Sequence, residues 1–304
     1  MIDIVGKRYW FFAISALVIV PGVIALLVWG LPLAIDFTGG SMLEVRFRAN
    51  RPEPAEVVAL YAEVGIADPL VQTVGDSDLA IRSREISVEE KSAVLRALEE
   101  RFGEPVTELG FERVGATVGA EVAQRAAGAV GLAAIGILAY ITYAFRGVTH
   151  AARYGVAAIV AMLHDVAVVI GVEAILGHFL GWEVDALFLT ALLTVIGFSV
   201  HDTIVVFDRI RENQSLHRRL EYETQVNHSI VQTLDRSINT QLTVMLTLLA
   251  LLLFGGVTTR HFVTILLIGV FSGTYSSIFN ASPLLVVWEK REWRTWFRRK
   301  PVAA

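Results

Sequence analysis

The chain has 304 residues, 54% of them hydrophobic, with a mean hydropathy of +0.57 and a formal net charge of -4. Such an apolar composition is high for a soluble domain, and the small charge excludes nucleic acid as the main partner. No cysteine is present, which excludes a disulfide framework and a thiolate metal site.

The first apolar run is Tyr9–Leu31, preceded by Lys7 and Arg8. It exceeds the about 7–15 apolar residues of a cleaved signal and reads as an uncleaved signal anchor, the alternative being cleavage near Ala34. A helix rises about 1.5 Å per residue and needs about 20 mostly apolar residues to cross a bilayer. Hydrocarbon offers no partner to unpaired backbone groups, so such runs must be helical. By that measure five more runs span: Ala126–Phe145, Tyr154–Leu176, Leu187–Phe207, the short Leu242–Val257, and Phe262–Trp288. The sequence thus predicts an α-helical polytopic membrane protein with six transmembrane helices.

Between the first two spans, Asp36–Arg125 is long enough to fold outside the membrane. Met42–Phe47 alternates as a strand does, and Pro54–Val64 is helical by pattern and stops at Gly65. Leu70–Val74 and Leu79–Arg84 flank the hairpin signal Gly75-Asp76-Ser77-Asp78. Ser87 and Glu90 form a capping box ahead of a helix that turns Val94, Leu95, Leu98 and Phe102 to one side, and Val106–Val114 is a last strand. The order βαββαβ predicts an α+β ferredoxin-like exported domain over residues 36–117. The first span then occupies 1–35, helices two to six occupy 118–289 with a loop at 208–241, and a basic tail covers 290–304. The domain holds no histidine and no catalytic constellation, so it reads as a binding or lever domain. At its entry, Gly39 and Gly40 permit backbone angles closed to other residues and predict a hinge, the alternative being a fixed turn that starts the first strand.

Basic residues gather before span one, between spans two and three, in the four–five loop and in the tail, whereas the opposite short loops hold only Arg260. That asymmetry places both termini in the cytoplasm. A charge within a span costs about 2.5–3.5 kcal/mol even on the mild insertion scale. Asp165, Glu173 and Asp202 are therefore the residues to explain. Glu173 lies near the outer end of its helix, from where its side chain can reach the interface. Asp165 sits beside His164 in mid-span, where a proton site and a hydrogen bond to a neighbouring Ser or Thr are both open readings. Asp202 lies at a depth similar to Arg236 on the next span, which predicts a carboxylate–guanidinium pair that protonation would break. Tyr222, Val226, Ile230, Leu234 and Ile238 recur every four residues, a stripe that predicts a helix along the cytoplasmic interface or one packed on the bundle. Gly269, Gly273, Ser277 and Ala281 share that spacing in span six, and such small residues suit close helix packing, within the bundle or against a partner.

Three motifs carry a family resemblance: Asp36-Phe37-Thr38-Gly39-Gly40, His164-Asp165-Val166, and Asp202-Thr203-Ile204-Val205-Val206-Phe207-Asp208-Arg209 running on to Asn213. With the polar entry Arg236-Ser237-Ile238-Asn239-Thr240, they make the chain resemble SecF, the smaller half of the SecD–SecF export factor, over nearly its whole length. The resemblance implies a subunit of the resistance-nodulation-division superfamily in the bacterial plasma membrane. Its partners would be SecD, the SecYEG translocon, unfolded translocating chains and the lipid bilayer. The energy source would be the proton gradient, with no cofactor, no metal and no enzyme activity. The proton-path residues would be Asp202 and Arg236, with Asp165 beside them. His201 stands where the family more often has Asn or Asp. The nearest rival is a small-molecule or lipid exporter half of the same superfamily. An intramembrane protease built on Ser199 is the rival from another class, but His201 on the same helix points elsewhere.

Overall fold

The structure is a computed structural model that describes residues 2–294 except 49, 50, 76 and 149. Asp76 of the hairpin and Arg298, Arg299 and Lys300 of the tail lie outside the described residues. In chain order the elements are α1 (Arg8–Trp29), α2 (Ile35–Thr38), β1 (Gly40–Arg46), α3 (Pro54–Glu63), β2 (Leu70–Val74), β3 (Asp78–Ser83), α4 (Val88–Phe102) and β4 (Thr107–Val114). Long helices follow: α5 (Ala116–Ala144), α6 (Ala151–Leu180), α7 (Ala186–Leu216), α8 (Tyr222–Phe254) and α9 (Val257–Ser276). A π-helical turn, Ser277–Ala281, joins α9 to α10 (Ser282–Glu289). The chain divides into two units: residues 32–128 with 183–186, and the remainder.

The smaller unit has the order βαββαβ and an antiparallel sheet arranged β2-β3-β1-β4. The ferredoxin-like expectation holds, with the unit reaching beyond 36–117 at both ends. Strand alternation puts Leu43 opposite Ile81 and Val45 opposite Leu79, all four buried. Val57, Leu60 and Tyr61 of α3 and Val94 and Leu98 of α4 close the core over that face. The capping box forms as read: Glu90 N donates to Ser87 Oγ at 3.2 Å, and Ser87 N donates to Glu90 Oε2 at 2.8 Å. At the root, Leu33 and Val184 form an isolated parallel bridge, and Arg82 pairs with Glu183 at 3.2 Å.

Gly39 and Gly40 sit in this unit at φ +74° and +126°. A Cβ on Gly39 would lie 2.5 Å from Ala116 Cα, and one on Gly40 would lie 2.6 Å from the Ser83 carbonyl. The pair is a packed turn. Its glycines answer to positive φ and close backbone approach.

Among the described residues, six helices are long and apolar enough to cross a membrane: 5–29, 116–144, 151–180, 186–216, 222–254 and 259–289. They are longer than the apolar runs because helix continues past the hydrophobic window. The stretch expected as a loop over 208–241 is mostly helical. The stripe expected along the interface forms the first half of α8, continuous with span five, and Val226 and Ile230 are buried against Ile210 and Phe207. In their most apolar stretches, half or more of the residues of α6, α7 and the sixth span are buried, against 11% in those of α5 and α8, so these three form the centre of the bundle. Helix α1 crosses α6 where Gly22 meets Gly171: a Cβ on either would lie 2.7 Å from the other's Cα. Only two glycines permit that approach. At the chain's start, Asn227 Oδ1 accepts from Ile4 N and Val5 N, and Arg8, almost wholly buried, pairs with Glu223 and Glu292.

Candidate functional site

Asp165, in the middle of α6, is fully buried. Its Oδ2 accepts from Ser199 Oγ of α7 at 2.5 Å and from Ser276 Oγ of α9 at 2.7 Å. Its Oδ1 accepts from Ser272 Oγ at 2.7 Å and lies 3.0 Å from His164 Nδ1. The far nitrogen of His164 meets Ser15 Oγ of α1 at 3.0 Å, and Asn280 Nδ2 donates to that hydroxyl at 2.8 Å. A continuous hydrogen-bonded chain therefore runs Asn280–Ser15–His164–Asp165–Ser199. Such a chain can pass a proton by turning hydroxyls and exchanging imidazole tautomers.

Asp202, on α7, is 8% exposed. Ser237 Oγ of α8 donates to its Oδ1 at 2.7 Å and Ser277 Oγ to its Oδ2 at 2.6 Å. Ser276 and Ser277, neighbours in sequence, thus serve two carboxylates on two different helices. Successive residues on a helix diverge by about 100°, which points them apart. The π turn begins at Ser277, and such turns recur where a helix must present side chains out of regular register.

The expected Asp202–Arg236 pair is absent. Arg236 is exposed and makes no ion pair among the described residues. Its neighbour Ser237 faces Asp202, so the guanidinium is turned about 100° away. Similar depth on two helices does not set azimuth.

The span-six stripe faces α7. A Cβ on Gly269 would lie 2.2 Å from Val195 Cγ2, one on Gly273 would lie 3.0 Å from Ser199 Cβ, and Ser277 reaches Asp202. Sequence reasoning did not assign Ser199, Ser237, Ser272 and Ser276 as donors. The available signal was the four-residue spacing of Ser272 and Ser276, one step from the glycine stripe and on the side that meets Asp165. Glu173 does not reach for the interface: it is fully buried, with Oε2 2.9 Å from His261 Nε2.

These features define a class: a polytopic membrane protein that buries carboxylates among neutral donors in its bundle and carries one α+β domain after its first span. Two family models match, "Protein export membrane protein SecD/SecF, C-terminal" over residues 94–291 and "SecD/SecF GG Motif" over residues 24–50. The protein translocase subunit SecF of Anaerolinea thermophila is 58% identical, with 100% of each chain covered. That of Thermobaculum terrenum is 52% identical over 100% of this chain and 99% of its own. The chain belongs to the SecF family of protein translocase subunits, which places it in Sec-associated translocation.

Among solved structures, SecDF of Thermus thermophilus, a translocon-associated membrane protein, matches with a TM-score of 0.84 and 34% identity. That match covers 95% of this chain and 39% of the other. A second, of SecDF in a super-membrane-facing form, has a TM-score of 0.63 and 32% identity, covering 97% and 39%. The chain thus corresponds to about two fifths of the joined SecDF protein, and SecD is its partner half.

Proposed function

We propose that this chain is the SecF half of an accessory complex that uses the proton gradient to help move unfolded secreted chains across the plasma membrane beside the SecYEG channel. The observation that carries the reading is that Asp165 and Asp202 are buried and held by hydroxyls, not by fixed cations. A hydroxyl can donate to a carboxylate or accept from a carboxylic acid, so the same cage serves both protonation states. A permanent cation would favour the charged form alone.

Arg236 supplies the counter-charge in a second arrangement. Turning α8 by about 100° replaces Ser237 with Arg236 at Asp202. Its guanidinium stays charged at any accessible pH, so it attracts Asp202 only while that carboxylate is ionised. Protonation at Asp202 then decides which arrangement holds. One charge moved through the membrane potential is worth about 2.3 kcal/mol per 100 mV, enough to bias such an equilibrium more than tenfold. Asp165 and the His164–Ser15 chain give the proton a path across the centre of the bundle. The basic residues at both ends of the chain favour cytoplasmic termini.

The complex acts by coupling and carries out no covalent chemistry. Ser199 donates to Asp165, an arrangement that does not suit the protease alternative. Full-length identity to SecF subunits favours translocation over small-molecule export. The test is Asp202→Asn in the reconstituted complex. The variant is expected to insert and assemble normally and to lose gradient-dependent stimulation of export. Wild-type stimulation at equal protein levels would refute the assignment.

A further inference from the structure

One buried carboxylate has no part in the path just described. Glu173 lies eight residues beyond Asp165 on α6, about 12 Å further along the axis. Trp29, the last residue of α1, stacks on His178 with ring centroids 4.1 Å apart, so the ends of α1 and α6 meet at this end of the bundle. From here the chain leaves for the α+β domain. Glu173 is fully buried, and its Oε1 has no hydrogen-bond partner among the described residues. Oε2 is 2.9 Å from His261 Nε2. His261 is itself held between Trp182 and Phe188, with ring centroids at 4.7 and 6.3 Å.

We propose that Glu173 and His261 form a second proton-exchange station, at the end of the bundle where Trp29 meets His178, that loads the path through Asp165. This rests on the proton-coupled reading above. The argument is one of geometry. A buried carboxyl oxygen with no donor aimed at it is a costly arrangement, and a natural protein keeps one only for a reason. The free lone pairs of Oε1 are where an exchangeable proton fits. In uptake, a hydronium gives its proton to Oε1 and leaves as water, forming an O–H bond and discharging the carboxylate. In release, that bond breaks and its electron pair stays on Oε1. The hydrogen bond between His261 Nε2 and Oε2 holds the carboxyl in place.

In the loop that carries Trp182, Glu183 pairs with Arg82 at 3.2 Å and Asp185 follows two residues on. On α6 the next titratable residue is His178, stacked on Trp29, and on the sixth span Arg260 is exposed. The neighbouring stretches of α7 (188–199) and α1 (22–29) carry none. Between the station and Asp165 lie Val169, Val195 and Ile265, all fully buried, at the level where Gly269 meets Val195. The station is therefore sealed from the path by an apolar plug, and proton passage requires the seam to part. All three carboxylates take a partner from the sixth span: His261 for Glu173, Ser272 and Ser276 for Asp165, Ser277 for Asp202.

The test uses the full chain with SecD in vesicles, with proton flux read by an entrapped pH dye while the outer pH is varied. Glu173→Gln keeps the shape and removes the exchangeable group, and flux is expected to fall about a hundredfold, the usual worth of a positioned proton-transfer group. Glu173→Asp is expected to recover part of the flux, and His261→Gln to shift its outer-pH profile, which a merely structural bond would not do. Infrared difference spectra of glutamate-labelled protein between two pH values give an independent reading. A protonated-carboxyl band that moves in His261→Gln supports the station even if Glu173→Gln fails to assemble, and no such band overturns it. If Asp202→Asn abolishes flux while Glu173→Gln keeps the wild-type rate and pH profile, the station falls and the proton path stands. If wild-type protein carries no flux above empty vesicles, the proton-coupled reading fails, and the station with it.

Discussion

Replacing Gly22 by alanine tests the glycine-on-glycine contact between α1 and α6. The new Cβ would stand 2.7 Å from Gly171 Cα and 3.2 Å from its carbonyl carbon. Carbon atoms rest about 3.5–4.0 Å apart, so α1 and α6 must separate by about 1 Å or bend. Overpacking of this kind costs about 1–3 kcal/mol. Alanine's better helix propensity offsets up to about 1 kcal/mol of that. The net effect is a destabilisation of about 1–2 kcal/mol, close to a tenfold shift in the folding equilibrium. Gly171→Ala should behave alike, because the contact is reciprocal. The double variant should cost less than the sum, since helices already parted by one methyl group make room for the other. Gly128, Gly131 and Gly136 serve as controls: nothing lies within 4 Å of a Cβ there, so alanine should be neutral or slightly stabilising. Denaturant titration of the full-length protein in detergent micelles reads all of these. Equal midpoints for Gly22→Ala and Gly131→Ala would refute the crossing, and strict additivity of the pair would refute its reciprocity.

Gly39→Ala combines a positive φ with a Cβ 2.5 Å from Ala116 Cα, and is expected to cost more than about 2 kcal/mol and to lower the yield of folded protein, whereas a true hinge would tolerate it with loss of export alone. Comparing thermal stability with export activity separates the two. The pairing of Glu292 with Arg8 gives a pH dependence. Burial alone would push the Glu292 carboxyl up, but the hydrogen bonds from Arg8 and Tyr9 outweigh it and hold it below its ordinary value. A depressed carboxyl stabilises the fold above its unfolded pKa and loses that contribution as pH falls through the folded one. Glu292→Gln should therefore be less stable than wild type at neutral pH, with the difference starting to shrink as pH falls below the ordinary glutamate pKa of about 4.3 and gone once pH is below the depressed folded value. A difference that does not shrink at all on acidification would show that packing, not charge, ties the tail to the start of α1.

The six spans and the order βαββαβ were legible because hydropathy and periodicity are averages over many residues. Helix ends were not: α7 runs on to Leu216 and α8 begins at Tyr222, since a helix leaving the membrane keeps its hydrogen bonds while its composition turns polar. Asp165 and Asp202 could be singled out because a charge in an apolar run is conspicuous. Their partners could not, because serines are unremarkable in a span, and which serine faces which carboxylate is a matter of rotation about the helix axis. The same limit misplaced Arg236. Composition and spacing report how deep a side chain lies, and only packing fixes where it points. Glu173 was misread for a related reason: near a helix end, reaching outward and turning inward look the same in sequence.

The sixth span carries the partners of Asp165 and Asp202 on adjacent residues, with a π turn starting between them. Mechanically it resembles a camshaft. A rotation of a few tens of degrees about its own axis would slacken both latches together, because hydrogen bonds fail steeply once misaligned. The bonds that this span makes to the two carboxylates then loosen together. Whatever turns the span alters its grip on both through one helix, with no signal having to cross the space between them.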